Sequence, residues 1–585
     1  MADFLEVNVV PYGPKLLLAS ILSVFFYALY RYSLPKPIPG IPYNEESRRS
    51  FFGDIPKLRR ELPKEAFAWM SRQGRGTGSP VFQVWLGPFA KPTVVLSDFR
   101  EGQDIMMRRT KEFDRSDAFA HNVGGEARSF HITMKTGPEW KARRRLLQDL
   151  MTPAFLHDVA APQIYKSCQT LLALWDQKME IADGRAFDAE HDVFHAALDA
   201  VLDFGYGDAA KIRALPPQLD KINSLSAQEV QQLRSASTER IDFPVAPDST
   251  VIKSIIQAAE NVAGVGATGF PRLAWWVIGW KPSIRSGREA RRKFLDDQIF
   301  QAIDRYKAGG KDQTTKSIKS AIDLIVQRED TVAQKQGKHA PKWLESMRDE
   351  SLGFVIAGHD TTSTTFCWGL KFLADDPAVQ QKLVENLCAA HPAAVAEKRL
   401  PTDREITHAR IPYLEAVIEE MLRLSHTAPL QDRQATEDTV LLGHRIPKGT
   451  NIIMPTMGPS ITEPAIPIDE HLRSPSAQAA AKERGVRVWA HEDIHRFVPE
   501  RWIMPDEKGV EEFNLAAGPT SPFGLGLRGC FGRKLAYMEL RLLTTLLLWN
   551  YELQQCPASL SSYESVEALT RKPVQCYLKL KRREM

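Results

Sequence analysis

The sequence predicts a mainly α-helical protein with a minor β-sheet, folded as a single large domain behind an N-terminal membrane anchor. Three observations predict this class. Apolar residues recur at helical spacing through most of the 585 residues, β-branched strand patterns are few and short, and an uncharged apolar stretch lies near the start. The rest of the chain contains neither an internal repeat nor a long low-complexity tract.

The apolar stretch, Leu16–Leu29, reads LLLASILSVFFYAL and has no charge. With its flanks it is just long enough for a span, which needs about 20 residues. A cleaved signal peptide is the alternative, but it needs a basic start and a small-residue cleavage site. Here the start is acidic, with Asp3 and Glu6. More basic residues follow the stretch than precede it, which predicts that the body lies in the cytosol.

Four prolines lie in the nine residues of LPKPIPGIP, Leu34–Pro42. They predict a stiff, extended spacer between the anchor and the body. The expected organisation is therefore an N-terminal region over residues 1–33 with the anchor at about 14–32, a linker over 34–44, and a catalytic domain over 45–585.

Helical patterns dominate the body from Val159 to Tyr306. Further helices are predicted at Trp343–Ala374, Ala378–Ala390 and Tyr413–Leu424. Alternating β-branched residues predict a hairpin from Val81–Gly87 and Pro92–Asp98, and short strands with a glycine turn across Thr439–Pro455.

Charge and cysteine content exclude some classes of protein. The net charge of +4 is too small, and Lys/Arg blocks are too few, to predict a nucleic-acid partner. The six cysteines show no C-x-x-C spacing, which suits a reducing compartment.

One cysteine differs from the others. Cys530 lies in SPFGLGLRGCFGRKLAYMEL, among four glycines and three basic residues. Glycines let the backbone adopt positive φ and let a ligand approach closely, and helical spacing resumes just after the loop. A thiol at a helix N-terminus near Arg528 is shifted towards thiolate. Zinc and iron–sulfur clusters need several protein ligands, whereas haem needs only one because the porphyrin supplies four. A buried structural cysteine is the alternative, but it needs neither the glycines nor the charge.

The pattern Phe523-x-x-Gly526-x-Arg528-x-Cys530-x-Gly532 resembles the haem-binding signature of the cytochromes P450. The resemblance implies that haem b is the cofactor and that Cys530 is its axial thiolate ligand. It also implies that Phe523 shields the sulfur and that Arg528 meets a haem propionate.

Two further stretches resemble the family's motifs. Glu420 and Arg423 in EEMLRL, with Arg501 in FVPERW, resemble the Glu-x-x-Arg and later arginine that fix the loop before the cysteine. Such an ion pair is weak evidence alone, because exposed Glu/Arg pairs are common. Trp140 and Arg144 in GPEWKARRRLL resemble the pair that binds the propionates, although a basic amphipathic surface helix is the alternative. Arg433 also fits a propionate arginine, less specifically.

The hexapeptide AGHDTT resembles the family's oxygen-binding helix. Ala357 and Gly358 would lie over the haem, with glycine allowing close approach, and Asp360 and Thr361 would form the acid–alcohol pair that supplies protons. Read alone, the hexapeptide could equally be a Thr-rich buried helix.

The resemblance implies electrons from NADPH through a flavoprotein reductase. Five basic residues, Lys141, Arg143, Arg145, Arg533 and Lys534, are expected to form its docking face on the thiolate side. It also implies a membrane-lipid partner and a single-pass endoplasmic reticulum protein with its catalytic domain in the cytosol.

The predicted reaction is oxidation of a small, mostly apolar molecule. The long insertions and the Ala/Ser/Pro-rich composition resemble those of fungal family members that make secondary metabolites. The rival functions are a haem-thiolate isomerase or dehydratase and a non-catalytic haem sensor.

Residues 113–131 and 224–270 are expected to shape the substrate pocket. The Pro- and Ala-rich stretch Ile461–Gly485 is predicted to be a surface insertion, and the extended tail from Glu567 is expected not to touch the motifs.

Overall fold

The computed structural model describes residues 12–61, 64–207, 210–235, 239–308, 318–335 and 344–584. The helices in these residues are α1 Tyr12–Ser33, α2 Glu45–Arg48, α3 Ile55–Glu61, α4 Ala66–Thr77, α5 Phe99–Met107, α6 Asp117–Val123, α7 Pro138–Leu147, α8 Pro153–Phe155, α9 Ala161–Ala182, α10 Glu190–Tyr206, α11 Leu215–Asn223, α12 Ala227–Ser235, α13 Thr250–Thr268, α14 Pro271–Ile278, α15 Pro282–Ala308, α16 Ala321–Lys335, α17 Leu344–Asp375, α18 Pro377–Ala390, α19 Pro392–Ala396, α20 Asp403–His408, α21 Pro412–Ser425, α22 Pro475–Arg484 and α23 Arg533–Asn550.

The strands are short. They are β1 Val81–Val84, β2 Thr93–Leu96, β3 Phe113–Asp114, β4 Ala186–Asp188, β5 Arg240–Ile241, β6 Leu430–Ala435, β7 Thr439–Leu441, β8 His444–Ile446, β9 Asn451–Pro455, β10 Ile503–Pro505, β11 Glu511–Phe513, β12 Tyr551–Gln554, β13 Ser565–Glu567, β14 Arg571–Pro573 and β15 Tyr577–Arg582. The predicted mainly helical fold with a minor sheet is therefore confirmed.

Helix α1 matches the predicted anchor. In the described part of the chain, Lys15–Ser33 is the segment long and apolar enough to cross a membrane. Its leucine and phenylalanine side chains are exposed, unlike those of a core helix. The proline-rich linker that follows is fixed to the body rather than free, because Gln83 Nε2 donates hydrogen bonds to the carbonyls of Ile38 (2.9 Å) and Ile41 (2.7 Å).

The largest sheet has five strands in the order β1-β2-β9-β6-β3. Strands β1 and β2 form the predicted hairpin, with Val81 opposite Leu96. The region Thr439–Pro455 forms β7, β8 and β9 as predicted, with a turn in which Gly443 has a φ of 80°. Strand β9 then joins the hairpin by pairing parallel with β2.

The helical body is organised around α17, a helix of 32 residues. Its middle and C-terminal part is buried against α10, α21 and α23 in the main hydrophobic core. It ends as the sequence predicts, because Pro377 takes the first turn of α18 and Asp376 accepts a hydrogen bond from the backbone N–H of Val379. The predicted start at Trp343 lies outside the described residues.

The predicted surface insertion, 461–485, is more ordered than a surface loop. It contains α22, and Arg473 within it is buried, with both terminal nitrogens donating to the carboxylate of Asp98 at 2.7 and 2.8 Å. A bidentate ion pair of this kind fixes the segment against the N-terminus of α5. The sequence does not suggest this contact, because the partners lie 375 residues apart.

Candidate active site

One apolar cavity brings most of the predicted site residues together. Those that line it are Trp140, Arg144, Ala357, Gly358, Thr361, Arg433, Phe523, Arg528, Cys530 and Gly532. Those that do not line it are Asp360, Glu420, Arg423, Arg501 and Gly526. The cavity lies between α17 and the loop that precedes α23.

The loop holds Cys530 at the floor of this cavity. The backbone N–H of Cys530 donates to the carbonyl of Phe523 at 2.8 Å, which closes the loop. Helix α23 begins at Arg533, so the thiol lies at a helix N-terminus as predicted. The sulfur accepts hydrogen bonds from the backbone N–H groups of Gly532 and Arg533, and its accessible surface opens into the cavity.

The electrostatic prediction for this thiol was wrong in one respect. Burial raises the pKa of Cys530, and this effect outweighs the lowering by the loop amides and by Arg144 and Arg533. A metal ion binds the thiolate form of cysteine, so a bound metal cation at Cys530 would favour the thiolate.

Gly526 shapes the loop through its backbone. Its φ is 68°, and a Cβ at this position would lie 2.3 Å from the carbonyl oxygen of Met106. Only glycine fits there without moving backbone. Gly532 differs, because its φ is −78° and a Cβ would meet nothing in the protein within 4 Å. The protein thus gives no steric reason for glycine at 532.

Four arginines converge on the cavity. Arg144, Arg433 and Arg528 are predicted site residues, and Arg115 is one that sequence reasoning missed. Burial, and secondly the charge of Arg115, lower the pKa of Arg433 to about 10 and that of Arg528 to about 9. Nε of Arg115 is buried without a hydrogen-bond partner. So much buried positive charge indicates an anionic ligand.

The partners of these arginines leave room for such a ligand. Arg528 donates to the carbonyl of Met134 at 2.8 Å and stacks 4.6 Å above the ring of Trp140. A terminal nitrogen of Arg115 donates to a carboxylate oxygen of Asp432 at 3.1 Å. One soft sulfur ligand, apolar walls and a cluster of arginines at one end fit haem, whose two propionates carry the negative charge.

Helix α17 supplies the opposite wall. The hydroxyl of Thr361 faces the cavity and donates to the carbonyl of Ala357 at 2.8 Å. A Cβ on Gly358 would lie 2.8 Å from a methyl group of Val201, so the packing of α17 on α10 already requires glycine there. From the sequence, we expected glycine at position 358 only because it would allow a ligand to approach the helix closely.

Asp360 turns away from the cavity. Its carboxylate lies 2.7 Å from Nζ of Lys572 and accepts a hydrogen bond from the hydroxyl of Thr570 at 2.8 Å. Both partners belong to the C-terminal tail, so the expectation that this tail touches no motif was wrong. No sequence motif marks Lys572 as a partner of Asp360, because only the fold brings the tail next to α17.

The comparisons with known proteins agree with this site. A sequence model of the cytochrome P450 family matches residues 44–459 and 487–580.

The chain is a cytochrome P450.

The cytochrome P450 monooxygenase TRI13 of Fusarium sporotrichioides is 38% identical over 577 residues, covering 96% of this chain and 98% of the relative. The cytochrome P450 monooxygenase xilC of Penicillium rubens is 37% identical, covering 97% and 96%. Among solved structures, the cytochrome P450 CYP102L1 superposes with a TM-score of 0.65 at 18% identity, covering 94% of this chain and all of its own. This P450 is therefore a haem monooxygenase, and the unmatched residues 460–486 coincide with the predicted insertion.

The predicted Glu–Arg–Arg triad lies beside the haem site of this P450, outside the cavity. Glu420 and Arg423 are fully buried and form a bidentate pair at 2.7 and 2.8 Å. Arg501 adds a bond of 2.9 Å to Glu420, as does the indole N–H of Trp502. Trp502 is part of the network that sequence reasoning missed, although it directly follows Arg501. Arg423 also donates to the carbonyl of Ile494 at 2.6 Å, which ties the network to the region before the cysteine loop.

Only some of the five basic residues in the predicted docking face are exposed on the surface of the P450. Lys141, Arg145 and Lys534 are exposed. Arg143 is buried and does not belong to this face, which corrects the prediction. Arg533 is half-buried, stacked on Tyr537 at 5.4 Å.

One of the two predicted substrate regions lines the cavity of the P450. Arg115, Phe119, Phe130 and His131 lie in the region 113–131 and contribute to its wall. Within the described residues, none of the cavity-lining side chains comes from 224–270, so that expectation was wrong. The upper wall is instead completed by α10 and α17.

Proposed function

We propose that this P450 is a membrane-anchored monooxygenase that takes NADPH electrons from a flavoprotein reductase and oxidises a small, mostly apolar molecule in fungal secondary metabolism. The observation that carries the proposal is that the Cys530 thiol and the Thr361 hydroxyl open onto the same apolar cavity. Anchoring through α1 in the endoplasmic reticulum, with the body in the cytosol, is supported by the exposed apolar helix and the basic residues after it.

Haem would be held by Cys530 as its sulfur ligand and by the arginines at the far end of the cavity, with Trp140 and Phe523 beside them. When bound, haem supplies the oxygen activation, and a thiolate ligand favours cleavage of the O–O bond. The protein supplies everything else, namely orientation, exclusion of water and control of protons.

Thr361 is the proposed proton-handling group at the cavity. Its hydroxyl oxygen keeps a free lone pair for a donor in the cavity while its proton bonds the carbonyl of Ala357. Asp360 is the proposed acid behind it. Because Asp360 is held by Lys572 and Thr570, it reaches the cavity only when its side chain leaves this pair.

The cavity wall supports an apolar substrate. Phe119, Phe130, Val201, Phe204 and Phe354 surround the space above the cysteine loop. Such a wall selects apolar molecules by burial and leaves orientation to a few polar groups. The fungal relatives are named as monooxygenases, which favours this chemistry over the isomerase, dehydratase and sensor alternatives.

The test uses the full chain in membranes with a fungal NADPH-dependent reductase. Candidate terpenoids, polyketides and alkaloids are screened for spectral shifts, and each positive compound is tested for NADPH consumption and oxygenated product. Product formed without NADPH would instead support an isomerase or dehydratase, and spectral binding without turnover would support a sensor. The Cys530→Ala variant is expected to lose the red-shifted Soret band of the reduced carbon monoxide complex, whereas Cys388→Ala keeps it.

A further inference from the structure

Two histidines and one aspartate meet at the start of α10, and none of the three is among the cavity-lining residues. His191 and His195 lie four residues apart and so share one face of the helix. Asp248 belongs to the segment just before α13. One ligand atom from each of the three side chains lies within 4.8 Å of the other two.

His195 is buried, and its imidazole ring makes no hydrogen bonds. Its exposed fraction is 0%, and neither Nδ1 nor Nε2 has a hydrogen-bond partner. Nε2 lies 3.2 Å from Oδ1 of Asp248, but the geometry is not that of a hydrogen bond, and that oxygen is also unpartnered. Buried polar atoms are nearly always satisfied, so the unpartnered Nε2 of His195, facing the unpartnered Oδ1 of Asp248, indicates a missing ligand.

The neighbouring carboxylates are already engaged. Asp192 is bonded to Nζ of Lys178 at 2.6 Å and to the indole N–H of Trp175 at 2.9 Å. Asp199 accepts the backbone N–H groups that begin α11. Asp248 is therefore the carboxylate left to complete the cluster of His191 and His195.

We propose that His191, His195 and Asp248 bind a divalent transition-metal ion of the zinc class, which clamps the segment before α13 to the N-terminus of α10. Two imidazoles and one carboxylate form a ligand set that Zn²⁺ accepts, with water in the fourth position. A tetrahedral site with bonds of about 2.1 Å holds its ligand atoms about 3.4 Å apart, and Nε2 of His195 already lies 3.2 Å from Oδ1 of Asp248. Since none of the three residues lines the cavity, the proposed ion has a structural role and no direct part in the proposed oxidation.

The test measures zinc bound by the haem-loaded full chain. The protein is treated with EDTA, dialysed against Zn²⁺, and analysed for zinc per chain by mass spectrometry. We expect one zinc per chain in the parent, and a loss of affinity of at least about tenfold in Asp248→Asn and in His191→Gln. X-ray absorption at the zinc edge should show two imidazole ligands.

The matched control is the pair His491→Gln and His495→Gln. These histidines have the same spacing in the sequence but are exposed and lie in a turn rather than a helix, so zinc content should not change. The carbon monoxide spectrum of each variant reports that the P450 is folded. Absence of zinc in the parent, or equal zinc in the parent and in Asp248→Asn, would overturn the proposal. So would a parent whose thermal midpoint does not rise with zinc, because an ion that binds the folded state must stabilise it. Zinc per chain is independent of turnover, so its failure is distinguishable from failure of the proposed oxidation.

Discussion

Nζ of Lys572 lies 2.7 Å from a carboxylate oxygen of Asp360, so a residue near the C-terminus supplies the counter-ion for a buried acid on α17. The side chain of Asp360 is 4% exposed and that of Lys572 is 28% exposed. The two lie 212 residues apart in sequence. This contact links the tail to the helix that lines the active-site cavity.

Replacing Lys572 with methionine should destabilise the protein by about 1–3 kcal/mol, because a buried carboxylate then keeps only the hydrogen bond from Thr570. Thermal or urea unfolding measures the change. The control is Lys581→Met, whose pair with Glu552 is exposed on both sides and should contribute less than about 1 kcal/mol. Equal stability of Lys572→Met and the parent would show that the pair does not hold Asp360.

Gly526→Ala should destabilise the cysteine loop and reduce haem content. The variant must adopt a φ of 68°, which costs about 1–2 kcal/mol, and its Cβ must also displace the carbonyl of Met106. Gly509→Ala is the matched control, because its φ is 78° but its Cβ would meet nothing within 4 Å. Haem per chain is measured from the carbon monoxide spectrum. The prediction fails if both variants retain the same amount of haem.

Glu420→Ala should be severely destabilising, by about 3–5 kcal/mol, because it leaves Arg423 buried and unpaired. The expected observation is low haem content together with a lower unfolding midpoint. Arg445→Ala breaks an exposed pair with Asp438 and should change stability by about 0–1 kcal/mol. A folded, haem-replete Glu420→Ala protein would contradict this account of the network.

Glu539 makes stability depend on pH. Burial raises its pKa to about 8, and a hydrogen bond from Thr362 lowers it only partly. Because the pKa is higher in the folded than in the unfolded state, the folded state binds the extra proton. Its contribution to stability is full below the unfolded pKa, near 4.3, and is lost as pH rises through about 8.

The variant Glu539→Gln should remove this part of the pH dependence. Unfolding midpoints are compared at several pH values from 5 to about 9, spanning the two pKa values. The difference between parent and variant should grow in favour of the variant with rising pH. Parallel pH profiles would show that Glu539 does not titrate in this range.

Lys141→Glu combined with Arg145→Glu should slow reduction by the reductase and leave the haem spectrum unchanged. Both side chains are exposed on α7, and charge complementarity acts mainly on the association rate. Stopped-flow reduction at low salt measures the effect, which should shrink at high salt. The control reverses Lys281 and Lys293, which are exposed on or beside α15. Equal slowing in the control would show that net charge, not this face, is responsible.

The sequence by itself determined the helices, the hairpin, the N-terminal apolar helix and the cysteine loop, because each depends on residues that lie close together along the chain. The apolar period of α23 and the glycines before it are local features, and so is the spacing of Glu420 and Arg423.

Tertiary structure alone decided which distant groups meet. Lys572 reaches Asp360, and Arg473 reaches Asp98, only because the fold brings the C-terminal tail onto α17 and the insertion onto α5. It also decided that Arg143 is buried and that burial raises the pKa of Cys530. Desolvation depends on everything that surrounds a group in space, and no window of sequence contains that information.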